Sequence, residues 1–434
     1  MLVCFLAAGL LFSVRTGWFQ FRRLGLWWNK TWGELMHPTA EEGKESQLGK
    51  SGISQRQSIC TALAATVGTG NIVGVATAIV AGGPGAVFWM WVSAFLGMMT
   101  GFAEKVLGIL YRRPAADGHY EGGPMTYMEE GLHAKWLAVC FAFLCMVASF
   151  GVGNMTQVQA MASGLELAFG IPVWLTGLVT AILLAVVLLG GIRRIGAFTE
   201  RLVPFMVVLY MGSALAVLIS QARVIPETMA LILREAFRLR PAVSGAAGYG
   251  MAQAMRIGVA RGTFTHEAGV GSSVFAHSAA DTKEPVEQGM WGIFEVFVDT
   301  IVVCTVTALV ILTTGMVDSG LDGAALTMGC FEQFFPWGRQ LIAVCLTLFG
   351  FGSLVGWSYY GKRSAEYLFG RIGVQTYQWL YVLMVILGAV ASLQLVWKLA
   401  DVCNGLMAIP NLTAVFLLQG KVVEALRKYE ENGR

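Results

Sequence analysis

Two stretches place polar residues and glycine in the middle of long apolar runs, where an ordinary spanning helix has neither. The first is Thr66-Val67-Gly68-Thr69-Gly70-Asn71-Ile72-Val73-Gly74, and the second is Arg261-Gly262-Thr263-Phe264-Thr265-His266-Glu267-Ala268-Gly269-Val270-Gly271-Ser272. In hydrocarbon a helix must satisfy its own peptide groups, so sequence of this kind marks a break lining a cavity inside the protein. The chemistry open to such a break is specific. Amides bared at a half-helix N-terminus carry partial positive charge and can hold a carboxylate, while freed carbonyls and hydroxyls can strip and coordinate a small cation. A zwitterion bound together with a sodium ion satisfies both. The competing explanation is close helix packing, since Gly70 and Gly74 form G-x-x-x-G. Packing alone leaves Asn71, His266 and Glu267 unexplained at membrane depth.

Other motif readings fail. Gly68 to Gly74 resembles a dinucleotide loop, but its third glycine comes one position late and its flanks read as spanning helices rather than strands. His266-Glu267 begins like a zinc-protease motif, but position 270 is Val. The acids Glu104, Glu166, Glu267, Glu295 and Asp299 fall on different spans with no nucleophile beside them, so an enzyme is a distant alternative.

The elements that position these stretches follow from composition. Of 434 residues, 56% are hydrophobic and only 13% charged, against about 25% charged for a soluble domain. At roughly 20 residues per span, this suits a polytopic all-α membrane protein. Apolar runs lie at about 58–80, 84–110, 136–169, 172–190, 202–220, 246–276, 286–315, 339–360, 374–390 and 395–419. The two interrupted runs are first and sixth, equivalent positions in two five-helix halves, 58–220 and 246–419. An odd number per half makes the second half insert upside down, and paired broken helices in inverted repeats point to a transporter binding site.

Segment 1–57 reads as hydrophobic and interfacial, 221–245 as an external connection with a polar helix from Glu227 to Arg240, and 420–434 as a tail. Residues 2–14 are short for a span, which fits either a chain that starts upstream of Met1 or an incomplete peripheral helix. Trp18, Phe19, Phe21, Trp27, Trp28 and Trp32 beside Arg22 and Arg23 suit a headgroup-level anchor. With 15–57 inside, the inner connections hold 21 of the 30 basic residues, and the outer ones hold Arg223, Arg234, Arg238, Arg240 and Arg339. The positive-inside rule therefore predicts a cytoplasmic C-terminus. Net charge is +3 with no basic face, which excludes nucleic acid as a partner, and the eight cysteines contain no C-x-x-C and read as small hydrophobes.

The chain resembles the alanine/glycine:cation symporter family of bacterial and archaeal cell membranes over nearly its whole length. The resemblance rests on Ala64 to Trp91 (AATVGTGNIVGVATAIVAGGPGAVFWMW), Gly122-Gly123-Pro124-Met125, Gly153-Asn154-Met155-Thr156-Gln157, the second break, Phe297 to Thr307, Gly356 to Gly361 and Asp401 to Asn411 (DVCNGLMAIPN). It implies a five-plus-five inverted-repeat leucine-transporter fold, no cofactor, and Na+ or H+ co-transported with a small neutral amino acid. It also implies that Thr69 and Gly70 offer amides to the substrate carboxylate with Asn71 close by. Asn154 and Gln157 then face the site, Phe264 and Thr265 line its other side, and Trp357 limits room for the side chain. For the cation, the resemblance implies the Ala64 and Val67 carbonyls with the Ser353 hydroxyl. A second site draws on the Thr66 carbonyl, Asn71, Thr265 and Asp299.

His266 and Glu267 are expected in coupling or structural roles, Glu267 by stabilising the second half-helix, with Arg256 and Arg261 pairing with Glu267 or snorkelling. The sequence departs from the family pattern in four places. Thr265-His266-Glu267-Ala268-Gly269 replaces S-N-E-A-G, Gly352-Ser353 replaces a Ser-Thr pair, Lys362 replaces an acid, and Gln159 replaces Asn. A proton-coupled transporter and a nontransporting sensor or pore remain the alternatives.

Overall fold

The computed structural model describes residues 1–36, 53–114, 120–188, 191–238 and 250–433. The basic residues Lys44, Lys50, Arg240 and Arg434 lie outside the described residues.

Helix α1 (Leu2–Arg15) leads into short helical turns, Phe19–Arg22 and Leu24–Trp28. The first interrupted run is α2 (Gln55–Thr66), one 3-10 turn at Thr69–Asn71, and α3 (Val73–Gly82). Ser54 caps α2 by accepting from the Gln57 amide, satisfying a donor that the first turn leaves free. Next come α4 (Gly85–Leu110), α5 (Lys135–Phe150), a π turn at Gly151–Met155, and α6 (Thr156–Phe169). Then follow α7 (Val173–Leu188), α8 (Gly191–Ser220) and the amphipathic α9 (Ile225–Ala236).

The second interrupted run is α10 (Met251–His266) and α11 (Val274–Ser278). It is followed by α12 (Pro285–Val296), a π segment at Phe297–Cys304, α13 (Thr305–Thr313) and α14 (Gly323–Glu332). The chain closes with α15 (Gly338–Val390), α16 (Leu393–Leu417) and α17 (Gln419–Glu431).

Both interruptions expected from sequence are present as breaks. Among the described residues, six helical stretches are long and apolar enough to cross a membrane: Gly85–Leu110, Lys135–Phe169, Gly191–Ser220, Pro285–Thr313, Gly338–Val390 and Leu393–Leu417. Leu2–Arg15, Val73–Gly82 and Val173–Leu188 are shorter apolar helices. Where a polar connection at 361–373 was expected, helix continues instead and turns at Gly370, whose φ of 64° and ψ of −154° divide α15 in two. Arg363, 2.9 Å from Glu121 and 2.7 Å from Glu366, lets this stretch stay helical while its charge is paired.

The first and second halves interlock: α6 packs on α15, and α4 packs on both α10 and α12. One end of the molecule collects connections that carry basic residues. There Arg22 and Arg23 meet Glu430, Lys30 lies 2.9 Å from Glu287, and Arg56 lies 3.4 Å from Glu200. Arg112 donates to the carbonyls of Ser278, Ala280 and Thr282. The aromatic cluster near the N-terminus divides. Trp18, Phe21 and Trp32 are exposed, whereas Phe19 and Trp27 are buried, with Trp27 edge-on to Phe297. Part of the expected anchor is thus packed into the protein.

Candidate functional site

At the first break, Gly68 is extended and the chain makes a single tight turn before α3 begins. Asn71 holds that turn. Its Oδ1 accepts from the Gly68 amide at 2.9 Å, and its Nδ2 donates to Asp299 Oδ1 at 2.6 Å and to the Asp299 carbonyl at 3.1 Å. The same nitrogen lies 3.3 Å from Cys304 Sγ. Asn71 therefore ties the break to the π segment after α12.

The Thr69 amide and hydroxyl both donate to one oxygen, Gln157 Oε1, at 3.1 and 2.8 Å. Gln157 is oriented by its own Nε2, which donates to the Val152 carbonyl at 3.1 Å. A side-chain carbonyl thus sits where two convergent donors demand an acceptor, the position in which a carboxylate oxygen would bind more strongly.

Glycine at 68 and 70 is required by close approach. A Cβ at 68 would meet Ser353 Oγ, and one at 70 would come 3.1 Å from the Thr265 methyl and 3.3 Å from the Phe264 ring. Ser353 Oγ donates to the Ala64 carbonyl at 3.1 Å, and Gly352 beside it leaves that carbonyl uncrowded. Val67 and Thr66 lie at the end of α2 next to this pair. Thr265 Oγ1 stands 3.2 Å from Thr300 Oγ1, which donates to Asp299 Oδ2 at 2.7 Å. Asn71, Thr265 and Asp299 are therefore brought together, through Thr300.

The second break is built differently. Glu267 (φ 54°), Gly269 (φ 93°) and Gly271 (φ 85°) all take left-handed backbone, which is costly for Glu267 and cheap for the glycines. Glu267 is held by Trp357 Nε1 at 2.8 Å and by the Ser272 hydroxyl. His266 Nδ1 accepts from the Ala268 amide at 3.1 Å, leaving the ring proton on Nε2, 3.2 Å from Ser93 Oγ, so the imidazole is neutral. The next freed amide is accepted by Glu104, whose Oε1 takes the Gly269 N–H at 3.0 Å. Glu267, to which sequence reasoning gave a half-helix role, reaches Ser272 just ahead of α11 and also joins this break to α15 through Trp357.

Phe264 lies over Gly70 and packs on Trp397, ring centroids 4.7 Å apart. Arg261 stacks 4.5 Å from the Trp397 ring and makes a two-pronged ion pair with Asp401 at 2.8 and 3.1 Å. Arg261 thus pairs with Asp401 and not with Glu267, because α16 crosses α10 at that level. Arg256 is exposed.

Asn154 and Gln157 diverge. The π turn at Gly151–Met155 changes the angle between them, and Asn154 Nδ2 donates to the Tyr381 carbonyl at 2.8 Å while Gln157 turns to Thr69. Gln159, two residues on and so nearly opposite on the helix, bonds Ser163 and not the site. Sequence reasoning missed Thr300, Cys304 and Trp397 at the site, although Thr300 and Cys304 lie inside the quoted Phe297 to Thr307 run.

A model of the sodium:alanine symporter family matches residues 1–434. The chain belongs to that family. It is 42% identical over 441 residues to the sodium/alanine symporter AgcS of Methanococcus maripaludis, covering 99% of this chain and 94% of the relative. The probable sodium/glutamine symporter GlnT of Bacillus subtilis is 38% identical, with 99% and 87% covered. Among solved structures, MhsT in complex with L-phenylalanine superposes with a TM-score of 0.64 at 15% identity, covering 87% of this chain and 97% of that one. This symporter therefore has the leucine-transporter fold and is a multi-pass membrane transporter, not an enzyme.

Proposed function

We propose that this symporter couples a sodium ion to the uptake of a small neutral amino acid, alanine or glycine, across a bacterial or archaeal cell membrane. The site is exposed alternately to the two sides. The observation that carries the reading is the pair of donors from Thr69 converging on Gln157 Oε1. An incoming carboxylate would take over these donors, with the Gly70 amide adjacent and Asn71 fixing the turn. On this reading Phe264, Thr265 and Trp357 limit the room for the substrate side chain, and Asn154 contributes by holding the π turn that aims Gln157.

Ala64, Val67 and Ser353 form the first cation site, and Thr66, Asn71, Thr265 and Asp299 the second. All are hard oxygen ligands suited to an alkali cation. Phe264, Trp397, Arg261 and Asp401 close one side of the site, and the halves 58–220 and 246–419 move against one another around it. The basic end of the molecule faces the cytoplasm and with it the C-terminus, which a C-terminal reporter active only in the cytoplasm tests.

The deciding experiment is uptake of labelled alanine and glycine into proteoliposomes under separately imposed sodium and proton gradients. Accumulation driven by sodium alone is the expected result. Accumulation driven only by a proton gradient would replace the ion, and equilibration without any ion dependence would favour a pore.

A further inference from the structure

Behind the second break lies a cluster of ionisable side chains that the substrate and cation sites do not use. Lys105 is fully buried, with Nζ 3.1 Å from Glu295 Oε2 and 3.9 Å from Glu104 Oε2. His277 Nε2 lies 3.3 Å from Glu295 Oε2, and its Nδ1 lies 2.6 Å from Gln288 Nε2. Gln288 Oε1 in turn accepts from Gln55 at 3.3 Å, which leaves its Nε2 as the donor to His277. The His277 ring is therefore neutral, with its proton on Nε2.

Two carboxylates, one ammonium and a neutral imidazole sum to one uncompensated negative charge at membrane depth. Such a charge is expensive without a partner. Among the described residues, the groups around the cluster supply no further cation. His266 is neutral, Glu267 is occupied by Trp357 and Ser272, Asp299 is bonded to Asn71 and Thr300, and the Tyr127 hydroxyl donates to Asn411.

The two carboxylates differ. Glu295 Oε2 is faced by both Lys105 and His277 Nε2–H, which favour its ionised form. Glu104 Oε1 accepts from Asn411 Nδ2 at 2.6 Å and from the Gly269 amide at 3.0 Å, while Oε2 is buried without a hydrogen-bond partner. Glu295 Oε1 is equally unpartnered, but its other oxygen meets both the ammonium and an N–H, whereas an ionised Glu104 would leave Oε2 desolvated with only the Lys105 ammonium, 3.9 Å away and already engaged by Glu295, to balance it.

We propose that Glu104 is a proton-binding site: it carries one exchangeable proton on Oε2, and its occupancy sets the pH dependence of transport. The coupling is direct. Glu104 holds the Gly269 N–H, and Asn411, itself bonded to Glu104, holds the Gly269 carbonyl at 2.9 Å. Any movement of the second break must therefore open this clamp and change the surroundings of the carboxyl. The pH dependence rests on the transport reading above; the proton site does not.

The test is infrared titration of the full-length protein in nanodiscs, combined with sodium-driven alanine uptake across pH. The wild type should show a protonated-carboxyl C=O band that is lost in Glu104→Gln. Lys105→Met, which removes the one ammonium, should gain a second such band. Uptake by the wild type should fall on the alkaline side, by up to about tenfold per pH unit once Glu104 titrates, and Glu104→Gln, locked in the neutral form, should stay flat. An unchanged band in Glu104→Gln, an unchanged band count in Lys105→Met, or the same alkaline decline in Glu104→Gln would overturn the proposal. Absence of alanine uptake by the wild type at every pH would sink the transport reading instead, with the infrared result still deciding the proton site.

Discussion

The two breaks occupy equivalent places in inverted halves, yet their backbones are satisfied in opposite ways. At the first, freed peptide groups meet neutral partners on movable side chains: Gln157 takes the Thr69 amide, Asn71 takes the Gly68 amide, and Ser353 takes the Ala64 carbonyl. At the second, they are taken by buried and ionisable anchors, Glu104 on the Gly269 amide and His266 on the Ala268 amide, with Glu267 locked to Trp357. A ligand that brings its own acceptor replaces the first set cheaply, whereas a buried carboxyl stripped of the donors it holds is left unsatisfied, at a cost of about 1–3 kcal/mol. The first break is built to exchange partners and the second to keep them. Symmetry of topology has become asymmetry of chemistry.

The largest effect that tests this contrast is expected from Asn71→Ala. It removes the acceptor for Gly68 and the link to Asp299 together, so sodium-driven alanine uptake should be abolished, with a loss of stability of ~1–3 kcal/mol by thermal unfolding. Retained uptake would deny the first break its role.

Gln157→Glu places a permanent carboxylate on the Thr69 donors. Alanine affinity, measured by direct binding at saturating sodium, should fall on the order of a hundredfold, in line with a charge-assisted bond of ~1.5–3 kcal/mol competing for the same amide. An alanine affinity equal to that of the wild type would show that the carboxylate binds elsewhere.

Ser353→Ala removes one cation oxygen while sparing the substrate residues. The sodium concentration for half-maximal uptake should rise about tenfold, equivalent to about 1.4 kcal/mol, with alanine affinity unchanged when sodium is saturating. A substrate defect without a sodium defect would separate Ser353 from the ion.

The smallest effect belongs to the second break. His266→Asn supplies an amide oxygen for the Ala268 N–H that Nδ1 now accepts, so uptake should stay near the wild-type level, within about 1 kcal/mol of stability, and the pH profile should not move. A profile flattened by this substitution would transfer proton sensing from Glu104 to His266.

Comparison of the two breaks also separates what was legible in the chain from what was not. Thr69, Gly70, Asn71, Phe264 and Thr265 were readable because polar residues and glycine in mid-span have few explanations in hydrocarbon. In the structure Phe264 and Thr265 stand against Gly70. The divergence of Asn154 from Gln157 was not readable, because a π turn inserts its extra residue without a marker in composition. Nor was the pairing of Arg261 with Asp401, since those residues are 140 positions apart and only the crossing of α10 and α16 joins them.

By itself the sequence determined that the chain spans a membrane, that two equivalent spans are interrupted, and which local residues the interruptions offer. Apolar content, glycine placement and period act over a few residues and need no partner. Tertiary structure alone decided which donor meets which acceptor: that Gln157 fills the Thr69 position, that Glu267 serves Trp357, and that Glu104, Lys105, Glu295 and His277 converge from three separate segments. A hydrogen bond or ion pair depends on a few ångströms between atoms distant along the chain, and only packing of the helical segments against one another sets those distances.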